Sequence, residues 1–207
     1  AFAPAYLCIV NVSNKHKIYD MKTAKLLAVL LLAGTLSATA QKSEVNLKQS
    51  VVNWIGNKIG GSHSGEVKIK SGYLDLKGGR IVGGKVVIDM NTITNTDIKD
   101  EGANQKLVGH LKSDDFFGVD SFPTSTFEVK KAGKFVNGKA TVSGILTIKG
   151  KSENISFVVA QKGKGYKAQL KIDRSKFNVR YGSNTFFGNL GDKAIDDIFI
   201  LDILLVL

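Results

Sequence analysis

The chain is poor in the side chains that build most catalytic and metal centres. Among its 207 residues there are one cysteine (Cys8), three histidines and one tryptophan. One cysteine cannot form an intramolecular disulfide, and a zinc site takes about three or four ligands from the protein. His63 and His110 are the only histidines beyond residue 40, and neither lies in a His-Glu-x-x-His or His-x-His pattern. We therefore expect no enzymatic activity and no bound metal or catalytic cofactor.

Long apolar runs are also scarce, and the one near the start is too short to span a bilayer, which takes about 20 apolar residues. The run Leu26–Leu32 follows two lysines and precedes the small residues Ala38–Ala40. That order is typical of a signal peptide, which we predict over residues 21–40, with cleavage at its end. We predict that residues 1–20 are a disordered upstream extension. Residues 41–207 then form a single domain that is soluble after cleavage, either periplasmic or secreted.

The formal net charge is +11, with 29 basic and 18 acidic residues. The lysines stand mostly singly along alternating segments. Such spacing is typical of a solvated face, and it favours solubility and transient contact with anionic lipid headgroups at a membrane surface. Because a signal peptide argues against nucleic acid as a partner, we expect none.

The dominant pattern beyond residue 60 has a period of two residues. Apolar side chains alternate with polar ones over residues 66–70, 141–149 and 166–173. Antiparallel strands with one dry and one wet face show this alternation. Turn signals separate the strands at Gly78–Gly79, Gly83–Gly84, Asn137–Gly138, Gly150 and Gly163–Gly165. The pattern predicts about eight strands at regular spacing, which favours a sandwich or a closed barrel.

One segment, between Thr96 and Ser113, departs from the alternation. Its apolar residues are spaced more widely, with acidic residues near its start and basic ones near its end. A helix dipole prefers that order of charges. We predict a helix from about residue 102 to residue 113, inserted between strands, where it caps one end of a barrel.

Several stretches, taken in order, resemble the YceI family of periplasmic polyisoprenoid-binding proteins. They cover residues 50–72, 83–93, 110–129, 142–159 and 172–182, and HLKSDDFF followed by FPTSTF is the most specific part. The resemblance implies a mainly β fold, a single antiparallel, eight-stranded, lipocalin-like β-barrel with one inserted helix. It also implies a non-catalytic carrier that sequesters a polyisoprenoid, quinone-like or fatty-acyl lipid.

Together with the aromatics clustered in residues 110–127, this resemblance predicts a tunnel with an aromatic wall. Inward-facing Gly65, Gly144 and Ala168 would keep the tunnel open. The predicted ligand-binding residues are Trp54, His63, Phe116, Phe117, Phe122, Phe127, Leu146, Phe157, Leu170, Arg174, Phe177 and Tyr181.

These assignments have structural alternatives. The phenylalanines would equally fill a dry core, and Trp54 would plug the base of the barrel. His63 would bond a neighbouring turn instead of a lipid headgroup. Arg174 would pair with Asp173 instead of a phosphate.

The last segment, IFILDILLVL, is apolar on both faces of a strand. We expect the face with Phe199, Ile203 and Leu205 to lie inside the barrel and the face with Asp202 to lie outside. A strand that is apolar on both faces needs cover on both. The second hypothesis is therefore a structural or interaction protein with a filled barrel, which forms a homodimer through this strand.

Overall fold

The computed structural model describes residues 39–207. Within this range the chain forms nine strands and one α-helix, joined by short turns and three single turns of 3-10 helix. The elements are β1 (Gln41–Glu44), β2 (Val51–Lys58), β3 (Gly61–Lys77), β4 (Arg80–Asp89), α1 (Glu101–Lys112), β5 (Thr124–Ala132), β6 (Lys139–Ile148), β7 (Lys151–Lys162), β8 (Gly165–Asp173) and β9 (Ile195–Val206). The predicted upstream extension and nearly all of the predicted signal peptide lie outside the described residues.

Eight antiparallel strands close into a barrel. Around it they follow the order β3, β2, β9, β8, β7, β6, β5, β4, and β4 pairs again with β3. Closure depends on the length of β3, which pairs with β2 through Gly61–Val67 and with β4 through Lys68–Lys77. The predicted eight-stranded barrel is confirmed. The period-two pattern did not predict β1, which adds a short edge beside the far end of β3.

Alternation along the strands sorts side chains between a dry interior and a wet exterior. In β8, every second side chain from Tyr166 to Ile172 is buried, and the lysines and the glutamine between them are exposed. In β6, the same alternation buries Val142, Leu146 and Ile148. Removing these apolar side chains from water supplies the main favourable free energy of folding. The predicted strand faces are confirmed in both segments.

Glycine pairs have two different roles in this sheet. Asn137 and Gly138 have φ angles of 50° and 71°, as a type I′ turn requires, and they connect β5 to β6 as predicted. The predicted turn at Gly83 and Gly84 is wrong, because both residues lie inside β4. A Cβ on Gly84 would lie 2.6 Å from the carbonyl oxygen of Tyr73, so the glycine permits a close approach of β3 and β4.

The helix α1 lies between β4 and β5 and is capped at both ends. The Asp100 carboxylate accepts a hydrogen bond of 2.7 Å from the Ala103 N–H, and the Ser113 N–H donates to the carbonyls of Gly109 and His110. The predicted helix is confirmed to within one residue at each end. In the part of the chain that the structure describes, no helix has the length and hydropathy to cross a membrane.

Antiparallel order sends successive connections to opposite ends of the barrel. The β3–β4, β5–β6 and β7–β8 connections lie at one end, here named the hairpin end. The opposite end, the helix end, carries the β2–β3 and β6–β7 turns, α1 with its flanking loops, and the long connection from β8 to β9.

At the helix end, Trp54 holds a loop against β3. The Thr94 N–H donates to the Glu66 carbonyl at 2.9 Å, and the Thr94 carbonyl accepts from Trp54 Nε1 at 3.0 Å. This bond satisfies the polar atom of an otherwise buried indole. Gly65 pairs with Trp54 across the strands, and a Cβ there would lie 1.8 Å from the Thr94 carbonyl oxygen. The loop therefore needs a glycine at this position.

We predict that Gly65→Ala lowers the free energy of unfolding by about 3 kcal/mol, because the added methyl group displaces the Thr94 carbonyl from Trp54. The matched control is Gly61→Ala in the same strand, where a Cβ would meet no atom within 4 Å. The control should change the free energy of unfolding by less than about 1 kcal/mol. Urea unfolding measures both variants, and equal effects would contradict the close-packing argument.

Candidate functional site

A cavity of about 210 Å³ lies inside the barrel. Side chains from all eight barrel strands line it, from Ile81 and Tyr166 near the hairpin end to Phe117 and Ile195 at the helix end. On the same measure one water needs about 10–15 Å³, so the space is much larger than a hydration site. The interior side chains therefore do not fill the barrel.

The lining of the cavity is almost entirely apolar. Its members with polar side-chain groups are Trp54, Ser125, Thr126, Tyr166, Arg174 and Asp196. A polar molecule that entered would lose hydrogen bonds to water and find few replacements, which costs about 2–7 kcal/mol per unpaired group. The cavity therefore suits a hydrocarbon chain and disfavours polar small molecules.

Aromatic pairs form much of the wall. The ring centroids of Phe116 and Phe117 are 5.0 Å apart in an edge-on arrangement, and those of Phe127 and Phe157 are 5.2 Å apart. Phe117 also faces Phe199 of β9, with centroids 6.5 Å apart. At the helix end, the loop after α1 and β9 thus form an aromatic wall together.

Eight of the twelve predicted ligand-binding residues line the cavity: Trp54, Phe116, Phe117, Phe127, Leu146, Phe157, Leu170 and Arg174. Met90 and Ile93 also line it, and sequence reasoning missed both. They lie in and just after a 3-10 turn that follows β4, where the alternation ends. The period-two pattern therefore carries no signal for them.

The other four predicted residues lie outside the cavity lining: His63, Phe122, Phe177 and Tyr181. Phe177 is 1% exposed and packs in the core just after β8. Phe122 and Tyr181 are 37% and 47% exposed. Phe122 packs against Gly150. None of these three aromatic residues lies in a strand, so strand alternation could not indicate which way they face.

The glycines do not open the cavity in the predicted way. A Cβ on Gly144 would lie 2.8 Å from the Phe127 ring, and one on Gly65 would lie 2.8 Å from the Trp54 indole. At both positions an aromatic ring occupies the space that the missing side chain leaves. Ala168 does line the cavity. The predicted widening by Gly65 and Gly144 is therefore wrong.

His63 belongs to a polar cluster that ties β3 to the loop before α1. Its Nδ1 lies 2.9 Å from Asp97 Oδ2. The other oxygen of Asp97 accepts from the Ser64 N–H at 2.8 Å and from the Asn95 side-chain amide. Burial, the largest influence, raises the pKa of Asp97, but the hydrogen bonds from Ser64, His63 and Asn95 together lower the pKa to about 2. His63 thus bonds a neighbouring loop, as in the structural alternative.

Arg174 directs its guanidinium at the protein itself and is 2% exposed. Its Nε and Nη2 each donate at 2.9 Å, to the carbonyls of Asp196 and Ile195. Its Nη1 donates to the carbonyls of Val179 and Tyr181, at 3.0 Å and 2.8 Å. Burial lowers the pKa of Arg174. The side chain therefore joins the segment after β8 to the start of β9, although it also borders the cavity.

Asp197 is the carboxylate that pairs with Arg174. Its Oδ1 lies 3.4 Å from Arg174 Nη2, whereas Asp173 caps the 3-10 turn that follows β8. The predicted Asp173–Arg174 pair is therefore wrong. Burial, the largest influence, raises the pKa of Asp197, but hydrogen bonds from Ser183 and Thr185 and the charge of Arg174 together hold the pKa below its usual value.

The last strand, β9, has its predicted faces. The odd-numbered residues Phe199, Leu201, Ile203 and Leu205 line the cavity. On the outer face, Ile198 is 42% exposed, and Asp202 accepts a hydrogen bond of 2.9 Å from the Gln169 side chain. Since β2 and β8 pair with its two edges, β9 has only its outer face available for a second copy.

Comparison with known proteins identifies the domain type. The model of the YceI-like domain matches residues 36–207. No curated protein matches the chain.

Solved structures with a similar fold include BcnA from Burkholderia cenocepacia, with 23% sequence identity, a TM-score of 0.62, and coverage of 78% of this chain and 98% of that one. A polyisoprenoid-binding domain from Saccharophagus degradans has 18% identity and a TM-score of 0.54, with 78% and 95% covered. A mutant YceI protein from Campylobacter jejuni with a monobromobimane guest has 27% identity and a TM-score of 0.51, with 67% and 81% covered. These likenesses support the closed barrel.

We predict that acid removes a stabilising contribution of Asp97. Its folded pKa of about 2 lies below the usual value of 3.8, so the contribution is present above about pH 4 and is lost as the pH falls towards 2. Asp97→Asn should therefore lower the free energy of unfolding more at about pH 5 than at about pH 2. Urea unfolding at both pH values measures this difference, with the exposed Asp120→Asn as control. An Asp97→Asn variant that loses the same free energy of unfolding at both pH values would contradict the prediction.

We predict that Arg174→Met lowers the free energy of unfolding by about 3–5 kcal/mol, because four backbone carbonyls lose their donor and the half-buried Asp197 loses its cation. The control is Arg180→Met, because Arg180 is an exposed arginine of the same segment. This variant should change the free energy of unfolding by less than about 1 kcal/mol. Urea unfolding measures both. If Arg174 instead held a lipid headgroup, its variant would keep its stability and lose bound lipid.

Proposed function

Because the chain belongs to the family of YceI-like domains, we propose that it binds a long apolar lipid inside the barrel and catalyses no reaction. The proposed ligand is a polyisoprenoid, a quinone-like molecule or a fatty-acyl chain. The observation that carries this proposal is the apolar cavity enclosed by all eight strands. The relative from Saccharophagus degradans, described as polyisoprenoid-binding, supports this class of ligand.

The dimensions of the barrel favour one slender chain. An eight-stranded barrel has an interior just wide enough for packed side chains or one small ligand. The lining residues come from both the hairpin end and the helix end, so an extended chain contacts wall along its length. Each CH₂ group that leaves water contributes about 0.8 kcal/mol. Affinity then grows with chain length and needs no hydrogen bond.

A polar headgroup has little to bind inside the cavity. Trp54 donates its N–H to the Thr94 carbonyl, and Arg174 donates to four protein carbonyls. We therefore propose that the enclosed part of the ligand is hydrocarbon and that any headgroup remains at an end of the barrel, in contact with water.

We propose that the protein carries its lipid after export, in the periplasm or outside the cell. The support is the signal-peptide pattern of residues 21–40. A closed barrel shields the chain from water on every side, so a carrier of this kind moves a lipid that would otherwise not leave a membrane.

Homodimerisation through β9 remains the second hypothesis, but the filled barrel that was expected with it is wrong, because the interior holds a cavity. Ile198 is 42% exposed on the outer face of this strand, and Ile200 and Leu204 on the same face are half-buried. An apolar stripe of this kind favours a self-complementary contact about a two-fold axis. A dimer of this kind leaves the cavity unchanged, so the two hypotheses are not exclusive.

Extraction of the purified protein with organic solvent, followed by mass spectrometry, tests lipid binding. We expect about one apolar lipid per chain from the wild type. Gly56→Phe should abolish it, because Gly56 lines the cavity and a Cβ there would meet no atom within 4 Å. The phenyl ring then fills empty space and displaces little packing.

The matched control for this experiment is Gly61→Phe. Gly61 has equally open surroundings but lies outside the cavity lining, so this variant should retain its lipid. Melting temperatures of both variants close to that of the wild type show that neither unfolds. A wild-type protein that yields no lipid on extraction and binds none when lipid is added would contradict the proposal.

A further inference from the structure

Basic side chains surround the hairpin end of the barrel. The segments 77–80, 130–139 and 161–167 contain two, four and three basic residues, and no acidic one. They are the three hairpins that antiparallel order places at this end. We name this set the basic rim: Lys77, Arg80, Lys130, Lys131, Lys134, Lys139, Lys162, Lys164 and Lys167.

The charges of the basic rim are exposed and mostly uncompensated. All nine side chains belong to exposed residues. Among the described residues, Lys130 with Glu128 is the only ion pair that involves the rim. Asp75 lies two positions before Lys77 and is in no ion pair with it. Because like charges repel, such a cluster does not stabilise the fold. The rim therefore needs another explanation.

The helix end carries charges of both signs and differs in composition. There, Lys149 lies beside Asp114 and Asp115, and its Nζ donates to the carbonyls of Asp114 and Phe116 at 2.7 Å each. The exposed aromatic side chains of the described chain also lie at this end: Phe122, Tyr181, Phe186 and Phe187. A predominantly cationic surface, with Glu128 as the only carboxylate paired to it among the described residues, is thus found at the hairpin end.

We infer that the basic rim docks the protein on a bilayer that contains anionic phospholipids. Each lysine or arginine near such a surface tightens binding by about fivefold. Apolar side chains stand among the cations: Val136, in the β5–β6 hairpin, is 68% exposed, and Val82 and Leu47 are 43% and 48% exposed. Cations with small apolar side chains suit the boundary between headgroups and acyl chains.

The rim suits a bilayer better than nucleic acid. Single-stranded nucleic acid is bound by basic grooves with exposed aromatic side chains on which bases stack. At the hairpin end the aromatic rings of Phe135 and Tyr166 stack on each other, with centroids 5.7 Å apart. Neither ring is exposed, so neither offers a base a free face.

Docking in this orientation would bring one end of the cavity to the bilayer. Tyr166 lines the cavity and is 9% exposed, so the Tyr166–Phe135 pair lies between cavity and solvent. When the rim is docked, this aromatic pair lies against the headgroups. The hydrocarbon chain of a lipid then moves between membrane and barrel without crossing bulk water. This consequence rests on the proposed lipid binding, whereas docking itself does not.

The test is co-sedimentation of the exported protein with vesicles of phosphatidylcholine alone, or with about one third phosphatidylglycerol. We compare the wild type with a rim variant, Lys134→Gln, Lys139→Gln and Lys164→Gln. The matched control is Lys99→Gln, Lys106→Gln and Lys193→Gln, which removes equal charge from exposed lysines at the helix end. All three proteins are purified after export, so that the predicted signal peptide over residues 21–40 does not itself anchor them to the vesicles.

We expect the wild type to bind only the anionic vesicles, and to do so more weakly as salt is raised. The rim variant should bind about 100-fold more weakly, and the control should stay within about threefold of the wild type. Val136→Ser should weaken vesicle binding by about fivefold and leave binding to a single-stranded oligonucleotide unchanged.

Three results would overturn the inference. They are a wild type that does not bind anionic vesicles, equal losses in the rim and control variants, and tighter binding to the oligonucleotide than to the vesicles. Extracted lipid is measured on the same preparations. A rim variant that retains its lipid but does not bind vesicles supports docking independently of lipid binding. A wild type that docks without lipid contradicts the proposed function alone.

Discussion

Closure of the sheet is the constraint on which the rest of this structure depends. β3 pairs with β2 along its first part and with β4 along the rest. The pairing with β4 joins the two ends of the strand order around the barrel. Without it the sheet would have two long edges with unpaired backbone groups. With it, every inward side chain faces the same enclosed space, and every outward side chain faces water or a partner.

An enclosed apolar interior restricts where polar groups can lie. The Trp54 and Arg174 donors that approach it at the helix end are bonded to the protein: Trp54 to the loop that follows β4, and Arg174 to the first part of the β8–β9 connection and to the start of β9. Their roles are to fix loops over the barrel end and leave the cavity wall apolar. An arginine with this many carbonyl partners would have to lose several hydrogen bonds before it could bind a phosphate.

Antiparallel connectivity also distributes turns, loops and charge between the two ends. Because successive hairpins alternate, the short lysine-rich turns gather at one end, while the inserted helix and the long β8–β9 connection gather at the other. The inward faces of the strands run continuously between them. A barrel with two chemically different ends has a direction: the basic rim, proposed as a docking surface, lies at one end, and loops fixed by Trp54 and Arg174 lie at the other.

Local sequence patterns were enough to predict the barrel strands, the Asn137–Gly138 turn and the helix, but not β1, since alternation, positive φ and capping act over a few residues. Ordered motifs indicated the barrel and most of the aromatic wall. Tertiary structure alone decided the rest. Gly83–Gly84 lies in a strand because β3 approaches closely, and Arg174 pairs with Asp197 because the chain returns to it after the long connection. Whether inward side chains fill a barrel or leave a cavity depends on the number and spacing of its strands, which no single strand's sequence contains.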